Sequence, residues 1–168
     1  MTLEAPFLLH ADSYSPRQFR ELVDSAFPPA GYIFAEGLLV AASQPGGGDP
    51  PLSVDVSPGV DTIIGTDGAR YLCANTARYN VQLEAAPGAG LSRIDAIYDM
   101  VLNAGSEWLI DKVTGQSSSS PVSPTCPSSS NPLAYVLVNS NAQSIDNEHI
   151  TAALSSGAWY VRAMGVRA

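Results

Sequence analysis

The sequence predicts a mainly β fold, a single β-sandwich or barrel-like domain with an extended N-terminal arm and one short helix. From residue 37 onward, short apolar stretches with period-two alternation recur, and turn-forming sequences such as TDGA and APGAG separate them. The composition agrees, because 14 Gly and 13 Pro provide many breaks and 45% hydrophobic residues can fill a core. Strands do not alternate with helices, which excludes a doubly wound α/β fold.

The first element, residues 1–30, is predicted to be an arm and a helix used for docking or oligomerisation. The apolar run within APFLLHADSYS needs a surface to cover, either the domain's own sheet or a neighbouring subunit. In SYSPRQFRELVDSAFPP, Ser15 is placed to cap a helix, Pro16 suits its first position and Pro28-Pro29 ends it. The candidate docking and intersubunit residues are Phe7, Leu8, Leu9, Phe19 and Leu22.

The second element is a β-rich domain predicted to span residues 31–168. Its strongest short hairpin signal is Asp67-Gly68, which lies between two apolar runs. The predicted strands are residues 38–42, 52–57, 61–66, 70–75, 79–85, 93–103, 107–115, 133–139 and 158–164.

The run RIDAIYDMV, residues 93–101, predicts a central strand whose hairpin partner is EWLIDKV. Alternation places Asp95 and Asp99 on one face of this strand, which is therefore expected to be half solvated or paired with arginine. At ~3.3 Å per residue the two carboxylates are roughly 13 Å apart, too far for a glycosidase pair. A solvated strand face is the expected explanation.

Residues 115–132 form a Ser/Pro segment with the composition of an interdomain linker. The residues after it, 133–168, are fewer than the ~40 that usually fold without disulfides or metal. Their apolar run LAYVLV must nevertheless be buried. We therefore expect this strand to pair back into the upstream sheet, with the Ser/Pro segment as a mobile, solvated, polyproline-like loop inside one domain.

Charge and hydropathy exclude several partners. The net charge is −8, and the 8 Lys and Arg residues form no cluster, which argues against nucleic-acid binding and against attachment to an acidic membrane surface. No apolar stretch approaches the ~18 residues of a membrane span, and the N-terminus lacks the features of a signal peptide. We expect synthesis in the cytoplasm, and free thiols at Cys73 and Cys126.

No catalytic constellation is apparent in the sequence. It contains no nucleophile elbow, phosphate-binding loop, dinucleotide fingerprint or HExxH motif. We therefore expect no enzymatic activity, no cofactor and no metal. Asp146, Glu148 and His149 could supply metal donors, but donors close in sequence do not define a geometry. The preferred interpretation is a polar turn in which Asp146 caps a short helix running to Leu154.

The aromatic residues leave a carbohydrate contact open. The candidate surface or glycan-contact residues are Trp108, Trp159 and Tyr160. Tryptophan in the strands of a sandwich is more often part of the core, and this is the alternative interpretation for the same residues.

Several stretches, in order, resemble tail proteins of tailed bacteriophages. They are LHADSYSPRQFRELVDSAFPPAG, LSVDVSPGV, SRIDAIYDMV with EWLIDKVTG, the Ser/Pro segment and NPLAYVLV. The similarity covers roughly residues 8–155 and is closest to minor tail proteins and upper fibre or baseplate domains of phages infecting actinobacteria. Serine replaces most of the usual alanine in the loop, and a short AWYVRAMGVRA tail replaces a long fibre extension.

The resemblance implies a non-enzymatic structural component of a phage virion, located in the tail. Its implied partners are copies of itself, with a trimer expected, and other tail proteins. Two alternatives stay open: a capsid decoration protein, and a carbohydrate-binding module that contacts the host cell surface.

Overall fold

The protein is mainly β, as predicted. The structure, a computed structural model, describes residues 32–34, 37–43, 52–102, 105 and 107–153. The described part contains one short 3₁₀ helix, Asn147–His149, and no helix there is long and apolar enough to span a membrane. The strands are β1 (Tyr32–Phe34), β2 (Val40–Ala42), β3 (Ser53–Val56), β4 (Gly59–Ile64), β5 (Arg70–Asn75), β6 (Tyr79–Gln82), β7 (Arg93–Leu102), β8 (Glu107–Val113), β9 (Ser130–Val138) and β10 (Ile150–Ala152).

The described strands form three antiparallel sheets and do not close into a barrel. A four-stranded sheet has the order β10–β9–β7–β8, and two three-stranded sheets have the orders β2–β3–β6 and β1–β4–β5. The four-stranded sheet and the β2–β3–β6 sheet share the larger hydrophobic core in a sandwich-like arrangement. Its buried residues include Val54, Val56, Val81, Leu83, Ile97, Ile110, Val136 and Val138.

The β1–β4–β5 sheet joins the rest of the protein near the end of β7. Strand β4 contacts both β7 and β9 there. The buried apolar residues at this junction are Ile63 of β4, Cys73 of β5 and Val101 of β7. Trp108 of β8 packs against this cluster and against the larger core, so its indole lies where the two meet.

Strand β7 is central, as predicted, and it pairs with β8 on one side and β9 on the other. The expectation of a half-solvated acidic face is wrong, whereas the alternative, pairing with arginine, is confirmed at Asp95, which contacts Arg93. Asp95 and Asp99 are both 0% exposed, because the other two sheets cover this face of β7. The opposite face is buried as well at Ala96, Tyr98 and Met100.

The Ser/Pro segment connects two strands of one sheet. The prediction that the chain returns after it is confirmed, since β9 pairs antiparallel with β7 from Val138↔Arg93 to Ser130↔Met100. The segment is largely exposed, and 79% of Val122 within it is accessible. Two backbone hydrogen bonds between Ser92 and Ser118, of 2.9 and 2.8 Å, hold its first part beside β7. Its mobility stays a prediction.

The predicted hairpin at Asp67-Gly68 is confirmed between β4 and β5. Gly68 has φ of +77°, a left-handed conformation that glycine adopts without steric cost. The bounds of the other strands agree with the predictions to within a few residues, except that β1 and β10 were not predicted as strands. The predicted N-terminal helix and the strand at residues 158–164 lie outside the described residues.

The predicted helix from Asp146 to Leu154 is wrong. The chain makes a single 3₁₀ turn at Asn147–His149, and the Asp146 side chain makes no capping hydrogen bond. The following Ile150–Ala152 is β10, which pairs with β9 from Ile150↔Val136 to Ala152↔Ala134. The β-branched pair Ile150-Thr151 favours a strand, and the open edge of β9 provides its partner.

Candidate functional site

A buried ion pair lies at the start of β7. Arg93 and Asp95 point to the same face, and Arg93 Nε donates to Asp95 Oδ1 at 2.9 Å and to Oδ2 at 3.1 Å. The guanidinium also donates to the carbonyl of Glu84, at 2.7 Å, and to that of Ala85. The arginine therefore balances the buried carboxylate and fixes the chain that leads into β7.

The same carboxylate binds the start of the Ser/Pro segment. Gly115 N donates to Asp95 Oδ1 at 2.9 Å. A Cβ at position 115 would lie 2.0 Å from the carbonyl oxygen of Ile94, so only glycine allows this approach. The RID and VTG motifs are thus two halves of one contact, which we call the Arg93–Asp95–Gly115 clasp.

A second buried acidic group lies four residues further along the same face of β7. Asp99 faces Asp61 of β4, and both side chains are 0% exposed. Asp61 Oδ1 accepts a hydrogen bond from Thr62 N at 2.6 Å, and Asp61 Oδ2 accepts one from Asn131 Nδ2 at 2.7 Å. Trp108 Nε1 donates to Asp99 Oδ2 at 3.3 Å. The Asp61–Asp99 pair therefore bridges the junction between the β1–β4–β5 sheet and the four-stranded sheet.

An irregularity in β9 brings Asn131 to this pair. The pairing of β7 with β9 shifts between Ile97 and Tyr98, so that Ile97 lies opposite Ala134 whereas Tyr98 lies opposite Pro132. The shift behaves as a β-bulge, because it places Asn131 on the same face as Ala134 where strict alternation would place it on the other. Asn131 Nδ2 reaches Asp61 from this position and also donates to Thr62 O at 3.2 Å.

Burial and mutual repulsion make both acids weaker than usual. Burial and, after it, the neighbouring Asp61 charge together raise the pKa of Asp99 to about 8, while the hydrogen bond from Trp108 opposes the shift. Burial also raises the pKa of Asp61 to about 6, against the hydrogen bonds from Asn131 and Thr62 N. Between these values the pair as a whole carries one proton.

Cys73 of β5 adds a thiol to the same junction. Burial and, after it, the charges of Asp99 and Asp61 together raise its pKa to about 12. The thiol is therefore neutral at physiological pH and behaves as a small apolar side chain. Both cysteines are free, as predicted.

The structure brings together the donors of the one metal set considered from sequence. Ligand atoms of Asp146, Glu148 and His149 all lie within 4.8 Å of one another, although the two acids are exposed. The Nδ2 atom of Asn139 lies 3.0 Å from His149 Nε2, and since an amide nitrogen only donates, the imidazole proton is on Nδ1 in this arrangement. The ring then has no free lone pair for a metal, and this cluster is better explained as a polar turn.

A shallow cavity of about 390 Å³ lies along the Ser/Pro segment. Its walls are mainly hydroxyl and amide groups, and they contain no charged or aromatic side chain. The lining residues include Thr114, Gln116, Ser118, Ser120, Val122 and Ser123.

The structure describes only one of the predicted contact residues. Trp108 is half-buried between the two hydrophobic clusters and donates to Asp99, which favours the core interpretation over a glycan platform. The other predicted residues, Phe7, Leu8, Leu9, Phe19, Leu22, Trp159 and Tyr160, lie outside the described residues.

Sequence reasoning missed Asp61 and Asn131 as members of a site. Asp61 stands at the start of the predicted strand DTIIGT, where an acidic residue is ordinarily solvated. Asn131 belongs to the Ser/Pro segment by composition. The available signal was the acidic Asp61 beside the apolar residues of the same strand.

Comparison with known proteins gives no further identification, since no family model, curated protein or solved structure matches this chain.

Proposed function

We propose that this chain is a structural component of a tailed phage virion, a minor tail or tail-tip protein that assembles as a homo-oligomer. The proposal rests on the stretches that resemble phage tail proteins. Three of them, the RID strand, the VTG sequence with its Ser/Pro segment and the PLA strand, form one continuous unit of β7, β8 and β9.

The observation that carries the proposal is the Arg93–Asp95–Gly115 clasp. Arg93 and Asp95 of the RID motif bond each other, Asp95 also accepts from Gly115 N of the VTG motif, and Arg93 donates to the backbone carbonyl of Glu84. Their contribution is therefore to hold two strands and a long loop in register, which is the contribution expected of a motif in a structural protein.

Gold labelling of phage particles with an antibody against this chain tests the location. We expect label at the tail tip and the chain among the proteins of purified particles. Label on the head would instead identify a capsid decoration protein, and absence from purified particles would contradict both assignments.

Solution mass and particle incorporation test the assembly. Phe7→Asp combined with Leu9→Asp is expected to lower the oligomer mass and the incorporation into particles, since the apolar arm is the predicted docking element. Val122→Asp is the matched control, because it adds a charge at a position that is already 79% exposed. A monomeric wild-type protein, or equal incorporation of both variants, would contradict an assembly role for the arm.

A further inference from the structure

The junction between the β1–β4–β5 sheet and the four-stranded sheet contains a like-charged pair. Asp61 comes from β4 and Asp99 from β7, and the surrounding buried apolar residues there are Ile63, Cys73 and Val101. Two ionised carboxylates in contact and without water repel each other strongly. The state of this pair therefore decides whether the junction is held together or pushed apart.

We propose that Asp61 and Asp99 form a single proton-binding site that fastens the β1–β4–β5 sheet to the four-stranded sheet, and that the junction loosens when both carboxyls are ionised. This device is independent of the virion assignment, because it depends only on the geometry of the junction.

The hydrogen-bond partners of the pair indicate where the proton is held. Both oxygens of Asp61 accept hydrogen bonds, from Thr62 N and Asn131 Nδ2, and Asp99 Oδ2 accepts one from Trp108 Nε1. The remaining oxygen, Asp99 Oδ1, is buried and meets no donor among the described residues. A proton on Asp99 that is donated to Asp61 completes the pair.

A metal ion fits the same site less well. Calcium takes about 6–8 oxygen ligands and magnesium about six, whereas three of the four carboxylate oxygens here already accept hydrogen bonds from fixed N–H groups. The other groups facing the pair on the described strands are the Cys73 thiol, the Trp108 indole and the Asn131 amide. Of these only the thiol titrates, and burial keeps it neutral by raising its pKa to about 12.

The direction of the pH effect follows from proton linkage. Both pKa values are higher in the folded protein than the ~3.9 of an unfolded aspartate, so the folded state binds more protons. The stabilisation is complete below about pH 4 and is lost as the pH rises through about 8. Between about pH 6 and pH 8 the folded state holds one extra proton, so the unfolding equilibrium constant should rise about tenfold per pH unit from this pair.

Asp99→Asn tests the inference through the pH dependence of urea unfolding. The asparagine amide can donate to Asp61 while its oxygen accepts from Trp108, so both hydrogen bonds are kept. The amide hydrogen does not dissociate with pH, as the proton of a carboxyl does. We expect the tenfold-per-unit rise to disappear in this variant and to remain in the control Asp111→Asn, an exposed carboxylate on β8. Parallel pH curves for wild type and Asp99→Asn would overturn the inference.

Hydrogen exchange tests whether the loosening is local. After correction for intrinsic exchange rates, raising the pH from about 6 to about 9 should reduce protection in residues 59–75 at least tenfold more than in residues 130–138. Equal loss in both segments would contradict a loosened junction. Recovery of protection on addition of millimolar CaCl₂ at about pH 9 would instead identify a cation site and would also overturn the inference.

Carboxyl ¹³C NMR of the wild-type protein makes the test independent of any variant. We expect the carboxyl carbons of Asp61 and Asp99 to titrate well above the ~3.9 of a free aspartate. Titration of every aspartate near ~4 would remove the basis of the inference.

Discussion

Asp95 and Asp99 lie four residues apart on the same face of β7, and both are 0% exposed. Their neighbours nevertheless differ in charge, since one faces a cation and the other faces a second acid. Asp95 contacts the guanidinium of Arg93 and the amide of Gly115. Asp99 contacts a second carboxyl, that of Asp61, and one indole N–H. The charge of Asp95 is therefore balanced by a cation, whereas that of Asp99 is balanced by a proton.

The difference shows that the partner, as well as burial, determines how a buried acid behaves. The carboxylate paired with arginine connects β7 to the Ser/Pro segment through a charge-assisted pair with Arg93 and the hydrogen bond from Gly115 N. A carboxyl paired with another carboxyl must keep a proton, which makes its contact sensitive to pH. The two ends of β7 are thus expected to respond differently to substitution and to pH.

The largest effect should come from removing the cation. Arg93→Ala leaves Asp95 as an uncompensated buried charge and removes the donors to two carbonyls, which should lower the free energy of unfolding by about 3–5 kcal/mol. Urea denaturation measures the loss. Glu84→Ala is the control, because it removes only an exposed carboxylate paired with Lys112 and keeps the Glu84 carbonyl, so it should cost less than about 1 kcal/mol. Similar losses in the two variants would contradict the clasp.

The next effect should come from the glycine of the clasp. Gly115→Ala forces a Cβ to within 2.0 Å of the Ile94 carbonyl oxygen, so the backbone must shift away from Asp95. We expect a loss of about 2–3 kcal/mol, which a shift of the urea midpoint would measure. At Gly88 an added Cβ meets nothing within 4 Å, so Gly88→Ala should change stability by less than about 0.5 kcal/mol. A neutral Gly115→Ala would show that the close approach is not required.

A smaller effect is expected at the like-charged pair. Asn131→Ala removes the amide that donates to Asp61 and to Thr62 O, and it should cost about 1–2 kcal/mol near neutral pH. The lost hydrogen bond lowers the pKa of Asp61 in the wild type, so that pKa should rise in the variant. Carboxyl NMR checks the direction. An unchanged or lower Asp61 pKa would contradict the placement of the Asn131 amide.

The smallest effect should come from the indole N–H. Trp108→Phe keeps an aromatic ring between the two clusters but removes the donor to Asp99 Oδ2, which should cost about 1 kcal/mol. The hydrogen bond opposes the rise in the pKa of Asp99, so the variant should bind the shared proton more tightly. The fall in stability with rising pH should therefore continue further above about pH 8 than in the wild type, which would sharpen the contrast with the arginine-balanced end of β7. Unchanged pH dependence would contradict it.

Much of the fold could be predicted from local pattern. Alternation and turn residues predicted β7 as a central strand, its hairpin with β8 and the Asp67-Gly68 turn, because these depend on neighbours in sequence. The helix at residues 146–154 was predicted wrongly, since the decisive partner is the edge of β9. Part of the candidate site was likewise out of reach, because Asp61 and Asn131 meet only through pairing across 70 residues.

The sequence by itself determined the β class, the boundaries of β2 to β9 to within a few residues and the need for the chain to return after the Ser/Pro segment. Burying an apolar strand requires a sheet, and this requirement is visible in composition alone. Only the tertiary structure decided the environment of the acids. A third sheet covers the face of β7 that alternation marked as polar, and a shift of register in β9 turns Asn131 towards Asp61. Charge balance in the interior depends on which distant strands meet, and period-two patterning does not contain that information.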